Sequence, residues 1–150
     1  MPECFDIMTD RGTEAMSEPF SINIRVYYED TDAGGIVYNA NYIKYIERAR
    51  TEWLRSFGVE QDILLERNVA FVVKHIDIDF RRPAKFNELL KVTCEPTKFG
   101  GASIVFTWHV YNQNGDELIE AKVKLACIDL KEFSPMLIPD YVKEVIKSGS

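Results

Sequence analysis

Asn39-Ala40-Asn41-Tyr42-Ile43-Lys44-Tyr45-Ile46-Glu47-Arg48-Ala49-Arg50-Thr51-Glu52-Trp53-Leu54-Arg55-Ser56-Phe57 is the stretch whose reading decides the fold. Tyr42, Ile46, Ala49, Trp53 and Phe57 recur at spacings of four, three, four and four, which is one face of a long helix. Asn39 or Asn41 is the candidate cap at its start, and Gly58 follows its end as a C′ glycine does. Upstream, Phe20, Ile22, Ile24 and Val26 alternate with polar residues, so Phe20 to Tyr28 reads as a half-buried strand. Asp30, Asp32, Gly34 and Gly35 then form a turn-rich link to the helix. Downstream, Val59 to Asn68 reads as a short helical turn. Four strands follow, Phe71 to Arg82, Glu88 to Lys98, Ala102 to Tyr111 and Glu117 to Leu130. Asn112-Gln113-Asn114-Gly115-Asp116 marks a hairpin between the last two, and Val123 to Ile128 is apolar enough for a central strand. Pro139 opens a short C-terminal helix to about Lys147. One strand, one long helix and four meander-like strands predict an α+β fold with the helix laid on an antiparallel sheet. Open sheet edges in such a fold favour a homo-oligomer.

The chain has 150 residues, enough for one domain with a real core. We expect that domain to span 20–150, after a polar, disordered extension over 1–19 that lacks the apolar segment of a secretory signal. No apolar run is long enough to span a bilayer, and the expected location is the cytoplasm. The net charge of −6 disfavours nucleic acid as a partner. Cys4, Cys94 and Cys127 have no metal-binding spacing and read as reduced thiols, the last two buried.

Arg25-Val26-Tyr27-Tyr28-Glu29-Asp30-Thr31-Asp32-Ala33-Gly34-Gly35-Ile36-Val37-Tyr38, Asn41-Tyr42 and Tyr45-Ile46-Glu47-Arg48-Ala49-Arg50 together resemble the Tol-Pal-associated acyl-CoA thioesterases of the YbgC type, within the wider 4-hydroxybenzoyl-CoA thioesterase group. The resemblance continues through Val69-Ala70-Phe71-Val72-Val73 and Arg82-Pro83-Ala84 and covers about Ser21 to Leu130. It implies a hotdog fold, in which a five-stranded antiparallel sheet wraps a long central helix. It also implies dimers, commonly paired into tetramers, with active sites at the dimer interface. The implied substrate is a short- or medium-chain acyl-CoA, with coenzyme A as part of the substrate, no separate cofactor and no metal.

Thioester hydrolysis needs a group that attacks or activates water at the carbonyl carbon, and donors for the oxyanion. A carboxylate loop ahead of a helix start supplies both kinds of group. Asp32 matches the family's catalytic aspartate, as nucleophile or as general base, and the sequence leaves both roles open. For an isolated aspartate the plainer reading is a turn residue. Asp30 reads as the residue that fixes the loop through backbone N–H groups. Asn39 stands where many relatives carry histidine, and the resemblance implies that its backbone N–H polarises the carbonyl. Its plain reading is a helix cap. Gly34, Gly35, Val37 and Tyr38 are the candidate substrate-binding residues, the glycines because they let the backbone approach the substrate.

Glu47 corresponds to the carboxylate of another hotdog branch, but Arg50 three residues on favours an ion pair. His75 and His109 read as ordinary strand residues. Arg81, Arg82 and Lys85 either meet coenzyme A phosphates or blunt a strand edge. The competing functions are a hotdog hydratase or dehydratase, which needs a histidine beside the carboxylate, and a non-catalytic binding or scaffold protein of the Tol-Pal system.

Overall fold

The computed structural model describes residues 19–148. Cys4 and nearly all of the expected extension lie outside them. The long helix is α1, Asn41–Ser56. Its buried positions are Tyr42, Tyr45, Ile46, Ala49, Arg50, Trp53 and Leu54, the predicted stripe widened by three residues. Neither asparagine caps it. Ala40 is the N-cap and makes no side-chain bond, while Asn41 already lies in the first turn with its amide engaged by Asp30. The other end follows the expectation. Gly58 has φ +83°, its N–H donates to the Arg55 carbonyl at 2.9 Å, and the Val59 N–H donates to Leu54 at 3.0 Å. These crossed bonds satisfy the last carbonyls, and the left-handed backbone calls for glycine. Phe57 falls just beyond the helix and is partly exposed, yet its ring still meets Trp53 edge-on. The short turn is α2, Gln61–Glu66, and the C-terminal helix is α3, Asp140–Ser148.

Five long strands form the sheet: β1 Phe20–Arg25, β2 Val69–Phe80, β3 Leu89–Phe99, β4 Ser103–Tyr111 and β5 Glu117–Asp129. A two-residue strand, β6 Ser134–Pro135, pairs with the end of β5. All pairings are antiparallel, and the order is β1-β3-β4-β5-β2. The meander therefore holds only for β3, β4 and β5. β2 does not neighbour β3 but lies outside β5, so among the described strands β1 and β2 stand at opposite ends of the order. Alternation reports which face of a strand is buried, not which strand lies beside it. β1 also ends sooner than expected, because Tyr28–Asp30 coils into a 3-10 turn.

The core lies between α1 and the inner sheet face. α1 packs against β1 and β3. Leu90, Val92 and Cys94 on β3 and Ile104, Phe106, Trp108 and Val110 on β4 are buried at the predicted parity. Trp53 of α1 meets Phe106 edge-on with centroids 5.3 Å apart. Val142 and Ile146 of α3 join the same core. This is the hotdog arrangement that the resemblance implies. Cys94 and Cys127 are both buried. Burial pushes the Cys94 thiol well up and the Cys127 thiol to about 11, which makes both poor nucleophiles.

Candidate active site

The loop between β1 and α1 is a small ladder closed by a tight turn. Thr31 bridges Val37. Within it the Asp32 N–H donates to the Ile36 carbonyl at 2.9 Å, and the Gly35 N–H donates to the Asp32 carbonyl at 3.0 Å. The Asp32 side chain is exposed, and its Oδ1 accepts the Gly34 N–H at 2.9 Å. An aspartate bonded two residues ahead in this way makes an Asx-turn, so its carboxylate is held while staying open to solvent. Gly35 has φ +78°, which any Cβ would strain.

From the turn the chain runs straight into the helix. The Tyr38 N–H donates to the Asp30 carbonyl and the Asn41 N–H donates to the Tyr38 carbonyl. The N–H groups of Asn39 and Ala40 have no acceptor among the described residues. They stand at the positive end of α1, where unpaired donors attract developing negative charge.

Asp30 is the buried member of the loop, at 8% exposure. Its Oδ2 accepts the Tyr27 N–H and its Oδ1 accepts the Asn41 amide, both at 2.9 Å. That is the loop-fixing role read from the sequence, with Asn41 as an added partner. The buried Tyr45 hydroxyl lies beside Asp30 without a hydrogen bond of ordinary geometry. Burial first, and then the Asp30 carboxylate, hold that phenol well above its ordinary range.

A second loop, absent from the sequence-based site, backs the first. The Val37 N–H donates to the Ala84 carbonyl at 2.9 Å, Ile36 bridges Lys85, and the Phe86 N–H donates to the Gly35 carbonyl at 3.2 Å. The Ala84 N–H in turn donates to the buried Tyr42 hydroxyl of α1 at 2.9 Å. Pro83 and Ala84 belong to the stretch that carries the resemblance, but the sequence gives them no role at the site. Nothing in its spacing reveals a contact made across the fold. Tyr42→Phe leaves the Ala84 N–H buried without an acceptor. The expected cost is about 1–3 kcal/mol, read by thermal or urea unfolding. A change below about 0.5 kcal/mol, the size of an ordinary surface substitution, would show that the second loop does not depend on this bond.

The candidate binding residues separate by burial. Gly34, Gly35 and Tyr38 are exposed, whereas Val37 is buried in the core. Tyr38, Tyr28 and Phe86 are exposed aromatic rings on these two loops, and Tyr28 meets Phe86 edge-on at 5.9 Å. Glu47 pairs with the buried Arg50 at 2.7 Å, as read from their spacing. Arg81 is held by Asp79, Glu117 and Glu120, and Arg82 by Asp116 at 3.4 Å, so Arg81 offers no free charge to a phosphate. His109 bonds Glu117 through Nδ1 at 2.6 Å, and no hydrogen bond joins either histidine to the Asp32 loop among the described residues. No group of three or more His, Cys, Asp or Glu among the described residues is placed to hold a metal. None of the described helices is long and apolar enough to cross a membrane.

A family model described as Thioesterase-like superfamily matches residues 26–146. The chain belongs to this superfamily. The match contains the Asp32 loop, α1 and the whole sheet after β1. Among curated members, the chain is 47% identical over 125 residues to the acyl-CoA thioesterase YbgC of Haemophilus influenzae, covering 83% of this chain and 91% of that one. It is 42% identical over 116 residues to the acyl-CoA thioester hydrolase YbgC of Escherichia coli O157:H7, covering 77% and 87%. A probable thioesterase from Bartonella henselae superposes with a TM-score of 0.76 at 33% identity, covering 81% of this chain and 100% of that one. A 1,4-dihydroxy-2-naphthoyl-CoA thioesterase from Synechocystis shares the fold, with a TM-score of 0.81 at 23% identity and coverage of 87% and 96%. The thioesterase superfamily is thus the family to which the quoted motifs pointed.

Proposed function

We propose that this protein hydrolyses acyl-CoA, with short or medium acyl groups, to free acid and coenzyme A. One observation carries the reading: a solvent-facing carboxylate, Asp32, is held by its own turn just ahead of a helix start with unpaired N–H groups, in a chain of the thioesterase superfamily. In the general-base form Asp32 takes a proton from water as the water oxygen bonds to the thioester carbon. The carbonyl oxygen gains the negative charge and is held by the Asn39 N–H. Collapse of this intermediate breaks the carbon–sulfur bond, and the thiolate leaves and takes the proton back. In the nucleophile form the carboxylate itself bonds to the thioester carbon, the carbon–sulfur bond breaks and the coenzyme A thiolate leaves; water then opens the mixed anhydride to the free acid and the Asp32 carboxylate, and its proton goes to the thiolate. Exposed Gly34, Gly35 and Tyr38 line the approach, while buried Val37 serves from the backbone.

The reading includes a homo-oligomer, a dimer or a tetramer. β2 ends the sheet with no further strand beside it among the described residues, and Val72, Val73 and Phe80 are exposed along it. It also includes a cytoplasmic location, a link to the Tol-Pal system, one domain over 20–150, and no cofactor beyond the coenzyme A of the substrate. The hydratase reading gains no support, because among the described residues His109 is tied to Glu117 and no histidine bonds the loop.

The test is a panel of acyl-CoA thioesters of increasing chain length with free thiol monitored. Release from short or medium chains is expected, and release from none would end the hydrolase reading. Label found in the Asp32 carboxylate after repeated turnover in ¹⁸O-water would establish the nucleophile form, since the general-base form never bonds that carboxylate to the substrate.

A further inference from the structure

Asparagine inside the first turn of a helix is a poor helix former unless its side chain finds a local use. Asn41 does not cap α1, and its amide leaves the helix to donate to Asp30 Oδ1 at 2.9 Å. Asp30 is bonded at three further places that matter. Its other carboxylate oxygen accepts the Tyr27 N–H at the loop entry, at 2.9 Å. Its carbonyl accepts the Tyr38 N–H at the loop exit, at 3.0 Å. Its own N–H donates to the Tyr27 carbonyl, at 3.0 Å. Asp32 lies between entry and exit. One buried residue therefore ties both ends of the loop together, and the Asn41 amide makes the hydrogen bond that joins its side chain to the helix, with the Tyr45 hydroxyl of α1 beside it.

Burying a carboxylate is costly unless charge-accepting bonds replace its water. Directional bonds from the Tyr27 N–H and the Asn41 amide to the two carboxylate oxygens suit this pair to fixing a geometry. The geometry available to it is the placement of the loop carboxylate against the helix start. We propose that Asn41 is a positioning residue which, acting through Asp30, sets the Asp32 carboxylate relative to the unpaired N–H groups of Asn39 and Ala40. This rests on the reading of Asp32 as the working carboxylate. A neutral amide suits the task, because it donates to Asp30 without adding a charge beside Asp32 or the helix start.

Asn41→Asp sets two carboxylates against each other at this bond. The expected result is a fall in kcat of about 100-fold, the scale of a misplaced catalytic group, with KM within about twofold. The double variant Asp30→Asn with Asn41→Asp exchanges donor and acceptor across the same bond, while the new amide oxygen still accepts the Tyr27 N–H. It is expected to recover kcat by about tenfold or more over the single variant. If Asn41→Asp does not unfold cooperatively, Asn41→Ala carries the same comparison of kcat with KM. A kcat within about twofold of wild type, or a loss that the exchange does not recover, would overturn the proposal. Amide resonances of Gly34, Gly35 and Ala40 supply a readout that needs no substrate. They are expected to move in Asn41→Asp and return in the double variant, and unmoved resonances would overturn the proposal. A wild type that hydrolyses no acyl-CoA would end the functional reading, and these resonances would still decide whether Asn41 positions the loop.

Discussion

Asp32→Asn is expected to lower kcat/KM for acyl-CoA hydrolysis by about 10²–10⁴-fold, the range for losing a positioned acid-base group, and to leave the melting temperature in place. The two halves have separate causes. Asparagine keeps an oxygen that accepts the Gly34 N–H, the only side-chain hydrogen bond that Asp32 makes among the described residues. The turn therefore survives, and with Asp32 exposed no buried packing is lost. What disappears is the negative charge, on which both the nucleophilic and the general-base form depend. A variant as fast as wild type would remove Asp32 from the chemistry. It would also turn attention to Glu47, the remaining carboxylate with a family precedent.

The second large effect concerns that same Glu47, and it is one of stability. Arg50 is buried on α1, and its Nη2 meets Glu47 Oε1 at 2.7 Å. Its Nε and Nη1 are buried without a hydrogen-bond partner among the described residues. Glu47→Leu leaves the guanidinium with no counter-charge at this contact. Breaking a buried pair from one side costs about 3–5 kcal/mol. Because the Glu47 side chain is 39% exposed, the lower end applies, about 3 kcal/mol, or a fall in Tm of roughly 6–12 °C for a chain of this size. Arg50→Met removes the cation and fills the space with apolar atoms. It is expected to be neutral or stabilising, since buried ion pairs often lose to hydrophobic replacements. Differential scanning calorimetry of the two variants reads opposite signs. A Glu47→Leu variant that melts like wild type but has lost activity would instead make Glu47 a catalytic group.

The sequence carried the strands' inward faces, the α1 stripe and the Gly58 stop, because each is a local pattern with a local cause. Ile104, Phe106 and Trp108 alternate because a strand alternates, whatever lies beside it. Strand order was not legible for the same reason. Nothing in Phe71 to Arg82 says that its neighbour is β5 rather than β3. In the loop, the turn at Asp32 and Gly35 and the loop-fixing bond of Asp30 to a backbone N–H follow from local turn chemistry, whereas the burial of Asp30 does not. Asn41 reads in sequence as a possible cap, a common use of its type, and only the fold shows its amide turned toward Asp30. The Ala84–Tyr42 bond stayed hidden because its partners lie far apart in the chain and neither residue type announces it.

That lacing of two distant segments has a consequence for how the molecule acquires its shape. The bridge from Ile36 to Lys85 and the bond from Val37 to Ala84 close a span that contains α1, α2 and the whole of β2. Loop-closure entropy sets such contacts late in assembly, after the helix and the β3–β4–β5 hairpins have formed from near neighbours. The Asp32 turn is drawn locally but is braced only once β1 and β2 have reached opposite ends of the strand order. A chain caught short of that step holds its core helix and its hairpins, and it lacks the rigid loop. Bracing of this loop therefore belongs to the long-range stage of folding and not to the turn that draws it.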